Sequence, residues 1–394
     1  MWKFVTASAP GCDPWDWRPF LIGLGITAAY WPGISGAGTT PRWIIAALLS
    51  IVLFCRIEHQ VKLTVAHVLG LAFVAWSLAT LFWSEYPDDT IGAGVLLLML
   101  VVAFCVGGFA DMRSIYLGCA AGLLISDGIA VAQMMGWNEV LAANVPAGLF
   151  LNKNYFAEMS TLVAVALMAE RLWWALPATL PGLVLTGARG ALLGVLAVGL
   201  LMVWRRSRWH AVGLAGLAAI VLVGMSFTGS KIASASDRID IWRSVLVITD
   251  WHGTGLGTFR ESAPRIEWIK YKTGHAYNEF IESAFETGIV GCGLLIAFLG
   301  SLFRRPLTTE RFVLIAIIVE ACFDFPFHIP STAILGALVA GRIAGDMPRL
   351  RNQAVACGMA LQRSFPGVED DLVGKGIVRA ERNAFEGGRR HLSV

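Results

Sequence analysis

The sequence predicts an all-α polytopic membrane protein with about twelve transmembrane helices and one large outward-facing loop of short helices. Three observations carry this. Hydrophobic residues make up 56% of the 394 and charged residues only 15%, with a mean hydropathy of +0.65. A soluble domain carries about 25% charged residues. Apolar runs of roughly 17 to 25 residues recur, the length a helix needs to cross a hydrocarbon core of about 30 Å. One long polar stretch, beginning at Ser230, interrupts them before the sequence turns apolar again beyond Gly291. Fifteen tryptophans suit a chain with two membrane interfaces. The net charge of +3 gives no ground for nucleic-acid binding. None of the seven cysteines forms a CxxC pair, so neither a cysteine metal site nor a disulfide framework is indicated.

In chain order, the first sixteen residues are polar and lack a cleavable signal pattern. Spans are expected near 17–34, 42–56, 64–83, 91–110, 114–135, 154–170, 172–187, 189–204 and 209–227, then near 278–302, 311–325 and 330–345. Segment 172–187 is short and holds Pro177 and Pro181. The expected division is a bundle of about nine spans (1–227), a large loop (228–277), about three further spans (278–345) and a weakly ordered tail (346–394) rich in Arg, Gly and Glu.

Orientation follows from Lys and Arg in the short connections. With the N-terminus inside, ten lie in inner connections, Arg205, Arg206, Arg304 and Arg305 among them; three, Arg42, Lys153 and Arg189, lie in outer ones. An even number of spans puts the tail inside too, and the large loop outside.

That loop breaks the charge rule. Seven Lys and Arg face five carboxylates between Lys231 and Gly274. Arg238, Arg243, Arg260 and Arg265 are interleaved with Trp242, Trp251, Phe259 and Trp268. Two readings stand. Loops of this length escape the rule, and the arginines pair with Asp237, Asp240, Glu261 or Glu267. Alternatively the cations meet an anionic ligand at the membrane surface, phosphate above all, because the planar guanidinium fork grips two oxygens at once; the aromatic residues would suit a sugar. Gly253, Gly255 and Gly257 mark a turn between two short helices; with no preceding strand and no following Lys-Ser/Thr, a nucleotide loop is not indicated.

At the end of the loop, helical spacing puts Asn278, Glu282 and Glu286 within about 60° of His275 on one face. Polar groups at membrane depth usually face an interior cavity; the alternative is an amphipathic helix with its carboxylates at the headgroups. Neutral imidazole at His275 could accept a proton from a hydroxyl. Asp127 is a polar group inside the fifth span, Asn152 and Asn154 read as interface caps, and Asp324 and His328 read as a structural outer turn between Pro326 and Pro330.

The pattern HAYNEFIESAFETGIVG (275–291) resembles the end of the main outer loop in bacterial O-antigen ligases and their polymerase relatives. LFLNKNYFAEM, LTGARGALLG, RIDIWRSVL with HGTGLGTF, and DFPFHIPSTAILGALVAG agree in order, so the likeness covers roughly 149–341. It departs where many relatives keep His beside the Asn: here Tyr277 stands there and His275 lies two positions earlier. The resemblance implies a GT-C-like glycosyltransferase of the bacterial inner membrane, with the loop in the periplasm and both termini cytoplasmic. It would move a glycan from undecaprenyl diphosphate to a glycan, lipid A core or protein acceptor, by inversion and without a metal or other cofactor. A chain-length regulator is a further candidate partner. His275, Arg189 and Arg238 are the expected catalytic residues. Arg265, Arg260, Asn278, Glu286 and Trp242 are the expected substrate contacts. The rival readings are a secondary transporter, for which no inverted repeat is visible, and a non-catalytic component of a polysaccharide export system.

Overall fold

The computed structural model describes residues 17–28, 63–136, 146–150, 152–210, 233–263, 274–303 and 307–345, with positions 49 and 212. Among them there are helices and turns and no strand. The helices are α1 (Arg18–Thr27), α2 (Val65–Ala79), α3 (Pro87–Gly107), α4 (Met112–Met134), α5 (Lys153–Ala169), α6 (Leu180–Val184), α7 (Arg189–Arg206), α8 (Ala233–Ile248), α9 (Phe259–Ser262), α10 (Glu279–Ser301), α11 (Thr309–Ala321) and α12 (Pro330–Gly345).

Four of the described segments are long and apolar enough to cross a membrane: α2 with its 3₁₀ extension to Phe82, then α3, α4 and α10. α12 is a shorter apolar helix. The described helices fall close to the expected spans in most places, but they do not establish twelve crossings. Segment 172–187 is not a span. It is a 3₁₀ turn (Trp173–Thr179) followed by the five-residue α6, because Pro177 and Pro181 each remove an amide donor and crowd the preceding turn. The expected spans near 42–56 and 209–227 and the tail lie outside the described residues, apart from positions 49 and 212.

The helix starts are legible from local chemistry. Pro87 sits in the first turn of α3, with Asp88 and Asp89 facing the positive end of the helix dipole. Asp111 caps α4 through Arg113 N (3.2 Å), and Asn152 caps α5 through Asn154 N (2.9 Å). Asn278 caps α10, accepting from the amides of Phe280 and Ile281 at 3.0 Å each. α5 is buried continuously from Phe156 to Leu167 and packs between α7 and α11; α10 packs along α2, and α1 along α4.

Helix α10 is broken at Gly288 (φ 73°, ψ 175°). A break strands the carbonyls and amides that would have bonded across it. Segment 250–255 satisfies them: Thr254 N and Gly255 N donate to the carbonyls of Phe285 (3.0 Å) and Glu286 (2.9 Å). In return the carbonyls of Asp250 and Trp251 accept from Ile289 N (3.0 Å) and Val290 N (3.4 Å). The remaining carbonyl, Thr287, takes the Trp76 indole at 2.7 Å. The glycine-rich turn therefore lies between α8 and α9 as expected, and it also completes the broken helix. A Cβ on Gly253 would stand 2.3 Å from Glu286 O, and one on Gly288 2.3 Å from Trp251 O.

Gly253→Ala and Gly288→Ala should each destabilise the protein by roughly 2 kcal/mol or more, from strain and overpacking. Gly293→Ala, on the same helix with open space around it, should be neutral or slightly stabilising. Thermal melts of the detergent-purified protein test this, and equal effects at all three positions would disprove the pairing role of the turn.

Candidate functional site

The site is built on the first two turns of α10. Glu279, Glu282 and Glu286 share one face of the helix and are nearly inaccessible, at 3%, 1% and 2% exposure. Buried carboxylates survive only when hydrogen-bonded and paired, and each of the three uses its two oxygens in the same way. One oxygen accepts a backbone amide from a connecting segment. The other faces a histidine. Glu282 Oε2 accepts from Ala276 N (2.8 Å), and its Oε1 meets His275 Nδ1 at 2.8 Å. Glu279 Oε2 accepts from Phe327 N (3.1 Å), and its Oε1 lies 3.1 Å from His328 Nδ1, an ion-pair contact whose angle is poor for a hydrogen bond. Glu286 Oε1 accepts from Phe259 N (3.0 Å), and its Oε2 lies 3.7 Å from His328 Nε2. His328 Nε2 is also 3.6 Å from Glu282 Oε1, so the two histidines share that carboxylate.

His275 stacks flat on Phe325 (centroids 3.7 Å apart, 13° between planes) and its side chain is 31% exposed. Its contact with Glu282 favours the tautomer with hydrogen on Nδ1, so Nε2 carries the lone pair. Tyr277 takes a left-handed backbone (φ 53°), which turns the chain into the Asn278 cap. Arg238, on α8, lies over the Tyr277 ring at 4.6 Å and donates to the carbonyl of Phe323. Its charge opposes the effect of burial on Asp324: burial raises the Asp324 carboxyl above the usual range, and Arg238, a contact with Glu158 and the Phe325 amide pull it back. For His328, burial alone would lower the imidazolium pKa. The carboxylates of Glu279 and Glu282, with Glu286 beside them, outweigh burial and hold it well above 6.5.

The expected site residues divide. His275, Arg238 and Glu286 come together around α10 with Tyr277. Asn278 does not remain available for substrate: its carbonyl oxygen caps the helix, and its amide nitrogen donates to Cys322 O at 3.0 Å. The expected stripe is corrected accordingly, with Glu279 in place of Asn278. The Trp242 indole donates to Ala276 O (2.8 Å) and packs beside Ile241, Val245, Phe259 and Phe285, the small core that docks α8 and α9 onto α10. Its N–H serves the loop fold rather than a ligand. Arg260 is exposed on α9. Arg189 is the first residue of α7, and Arg265 lies outside the described residues.

Asp324 and His328 were expected to be structural, and the structure draws both into the site. The missed signal is in DFPFHIP: the turn between α11 and α12 is tied down by Phe327 N, and this delivers His328 onto a carboxylate face some 50 residues earlier in the chain. His275, Glu282 and His328 also bring one ligand atom each within 4.8 Å of one another, close enough for a metal ion. The 2.8 Å His275–Glu282 contact is itself of hydrogen-bond length.

The site thus sets a histidine–carboxylate pair and an arginine at the start of a helix long and apolar enough to cross a membrane. Residues 174–296 match the family model described as O-antigen ligase. The match runs from the 3₁₀ turn before α6 through His275, Glu282 and Glu286, and it supports an O-antigen ligase-like superfamily for this chain. It points to a membrane enzyme of the ligase and polymerase type. No curated protein matches the chain.

Because the folded pKa of His328 is raised, its charged form stabilises the fold. That contribution is complete below about pH 6.5, the ordinary histidine value, and is lost as pH rises through the raised folded value. The melting midpoint of wild type should exceed that of His328→Gln most at pH 6, with the gap closing at alkaline pH. A gap independent of pH would mean that His328 acts by packing alone.

Proposed function

We propose that this protein transfers a glycan from an undecaprenyl diphosphate donor to an acceptor at the periplasmic face of the bacterial inner membrane, as an O-antigen ligase or polymerase. The observation that carries the reading is the His275–Glu282 pair set beside Arg238, inside the segment that matches the O-antigen ligase family.

The acceptor hydroxyl gives its proton to His275 Nε2, while Glu282 holds the ring and stabilises the imidazolium that forms. The acceptor oxygen attacks the anomeric carbon from the side opposite the diphosphate. The bond from that carbon to the diphosphate oxygen breaks, and the lipid diphosphate leaves with the electron pair. The new negative charge develops beside Arg238, with Arg189, Arg260 and Arg265 as further cations for the diphosphate. Arg238 spends one of its donors on Phe323 O, and the guanidinium fork retains others. Glu286 orders the site through Phe259 N and His328. The donor lipid enters sideways from the bilayer, and the acceptor is another glycan, lipid A core or a protein. The charge pattern supports a periplasmic loop and cytoplasmic termini, with room for a chain-length regulator as partner.

Replacing His275 by Ala should cut transfer by roughly 10²- to 10⁴-fold, the range for losing a positioned general base. Glu282→Gln should fall in the same direction, and Arg238→Lys should not restore Arg238→Ala, because an ammonium lacks the planar fork. Surface polymer in cells carrying each variant, at equal levels of inserted protein, checks this; normal polymer from His275→Ala and Arg238→Ala would refute the assignment. In deletion cells, long lipid-linked chains without attached polymer mark a ligase, and single repeat units mark a polymerase. A cysteine at Gly274 labelled by an impermeant reagent only from the periplasm, with a tag at Val394 protected, is the expected topology.

A further inference from the structure

We propose that His328 is a positioning residue for glycan transfer: from the turn between α11 and α12 it holds Glu282 in the place from which that carboxylate fixes His275. This rests on the reading of His275 as the proton acceptor. Glu282 controls His275 at two levels. Its Oε2 takes the amide of the next residue, Ala276 N (2.8 Å), and its Oε1 takes the ring at Nδ1 (2.8 Å). His328 Nε2 approaches that same Oε1, at 3.6 Å, and the two imidazole centroids are 5.5 Å apart.

The turn that carries His328 is well tied. His328 N donates to Phe325 O (3.1 Å), the Thr332 hydroxyl donates to Ile329 O (3.1 Å), and Phe327 N is held by Glu279 (3.1 Å). The same turn supplies Phe325, on which the His275 ring lies flat. It therefore supports the face of that ring directly and its carboxylate partner through His328. Glu279, Glu282 and Glu286 stand three and four residues apart on α10, the spacing at which like charges repel. His328 meets all three: Nδ1 is 3.1 Å from Glu279 Oε1, and Nε2 is 3.6 Å from Glu282 Oε1 and 3.7 Å from Glu286 Oε2. Both ring nitrogens thus face carboxylates, so His328 acts through Glu282 and not on the reacting atoms. Its charge suits the task. An imidazolium carries N–H on both nitrogens, and the surrounding carboxylates hold His328 above the ordinary histidine value. Without those nitrogens the three carboxylates repel one another, and a shift of Glu282 is the one that His275 feels. A misplacement of about 1 Å can cost on the order of 10²-fold in rate.

The test titrates the purified full chain with lipid-linked glycan and its acceptor, both extracted from deletion cells. His328→Phe keeps a ring and removes both nitrogens. It should lower kcat roughly 10- to 100-fold, while KM for the lipid-linked glycan stays within about twofold, because His328 touches no substrate. His328→Gln, which restores one donor, should fall between the Phe variant and wild type, and it carries the test if the Phe variant does not fold. In a His275→Ala background either substitution should change the residual rate by less than about twofold, since no imidazole is left to position; a merely structural defect would multiply with it. Wild-type kcat in His328→Phe, or in His328→Gln where the Phe variant does not fold, overturns the proposal. So does a loss that persists in full in the His275→Ala background. Transfer that EDTA abolishes and Zn²⁺ restores in wild type but not in His328→Phe would make His328 a metal ligand and also overturn it. If His275→Ala transfers normally, the reading of the site fails and the role of His328 with it; if His275→Ala is impaired and the His328 variants are normal, only the role of His328 fails.

Discussion

Three glutamates on one face of α10 hold the functional end of this protein together. Each divides its oxygens between a backbone amide and a histidine, and the three amides come from three different segments: Ala276 before α10, Phe259 opening α9, and Phe327 in the turn before α12. One helix thus sets the positions of two irregular connections and of the start of the short helix α9. The two histidines face the carboxylates that do this. Removing a single carboxylate would release a connection and also leave a buried imidazolium short of a partner, so the cluster acts as a unit.

The break at Gly288 ties the same helix to the other half of the loop. A continuous helix would have satisfied its own backbone and offered segment 250–255 nothing to bond. By interrupting the ladder, Gly288 exposes three carbonyls and two amides; the glycine-rich turn matches two of the carbonyls and both amides, and the Trp76 indole takes the third carbonyl. This anchor lies two residues beyond Glu286 and six beyond Glu282. The loop is therefore held from both sides of the carboxylate face. Arg238, on the helix that leads into that turn, reaches Tyr277 from a fixed base.

Charge in the buried region is unevenly distributed. Around His275 and His328, acids and bases alternate and each has a partner. Toward the bundle interior, Asp324 lies between Arg238 on one side and the buried carboxyl groups of Glu158 and Glu320 on the other. Desolvation weighs on both regions, and in the first it is met by carboxylates and histidines set face to face.

The sequence by itself determined that the chain is helical and built of membrane-length apolar segments, because run length and charge depletion act locally and need no partner. It also marked Asn152 as a cap, and its side chain does bond an amide two residues away. Within the site it put Glu282 and Glu286 on a common face, since helical spacing is a property of the chain alone, but it ran the helix back to His275, which lies before the first helical residue, Glu279, and reaches Glu282 from the loop. It gave Asn278 to the ligand rather than the cap, and it left His328 and Asp324 as turn residues. Those errors share one cause: what a side chain does there depends on groups from distant segments. Glu279 meets His328 only because Phe327 is tied back across 48 residues of chain. Only the tertiary structure decided which carboxylates face a histidine, because desolvation and pairing are set by neighbours in space, and sequence order does not record them.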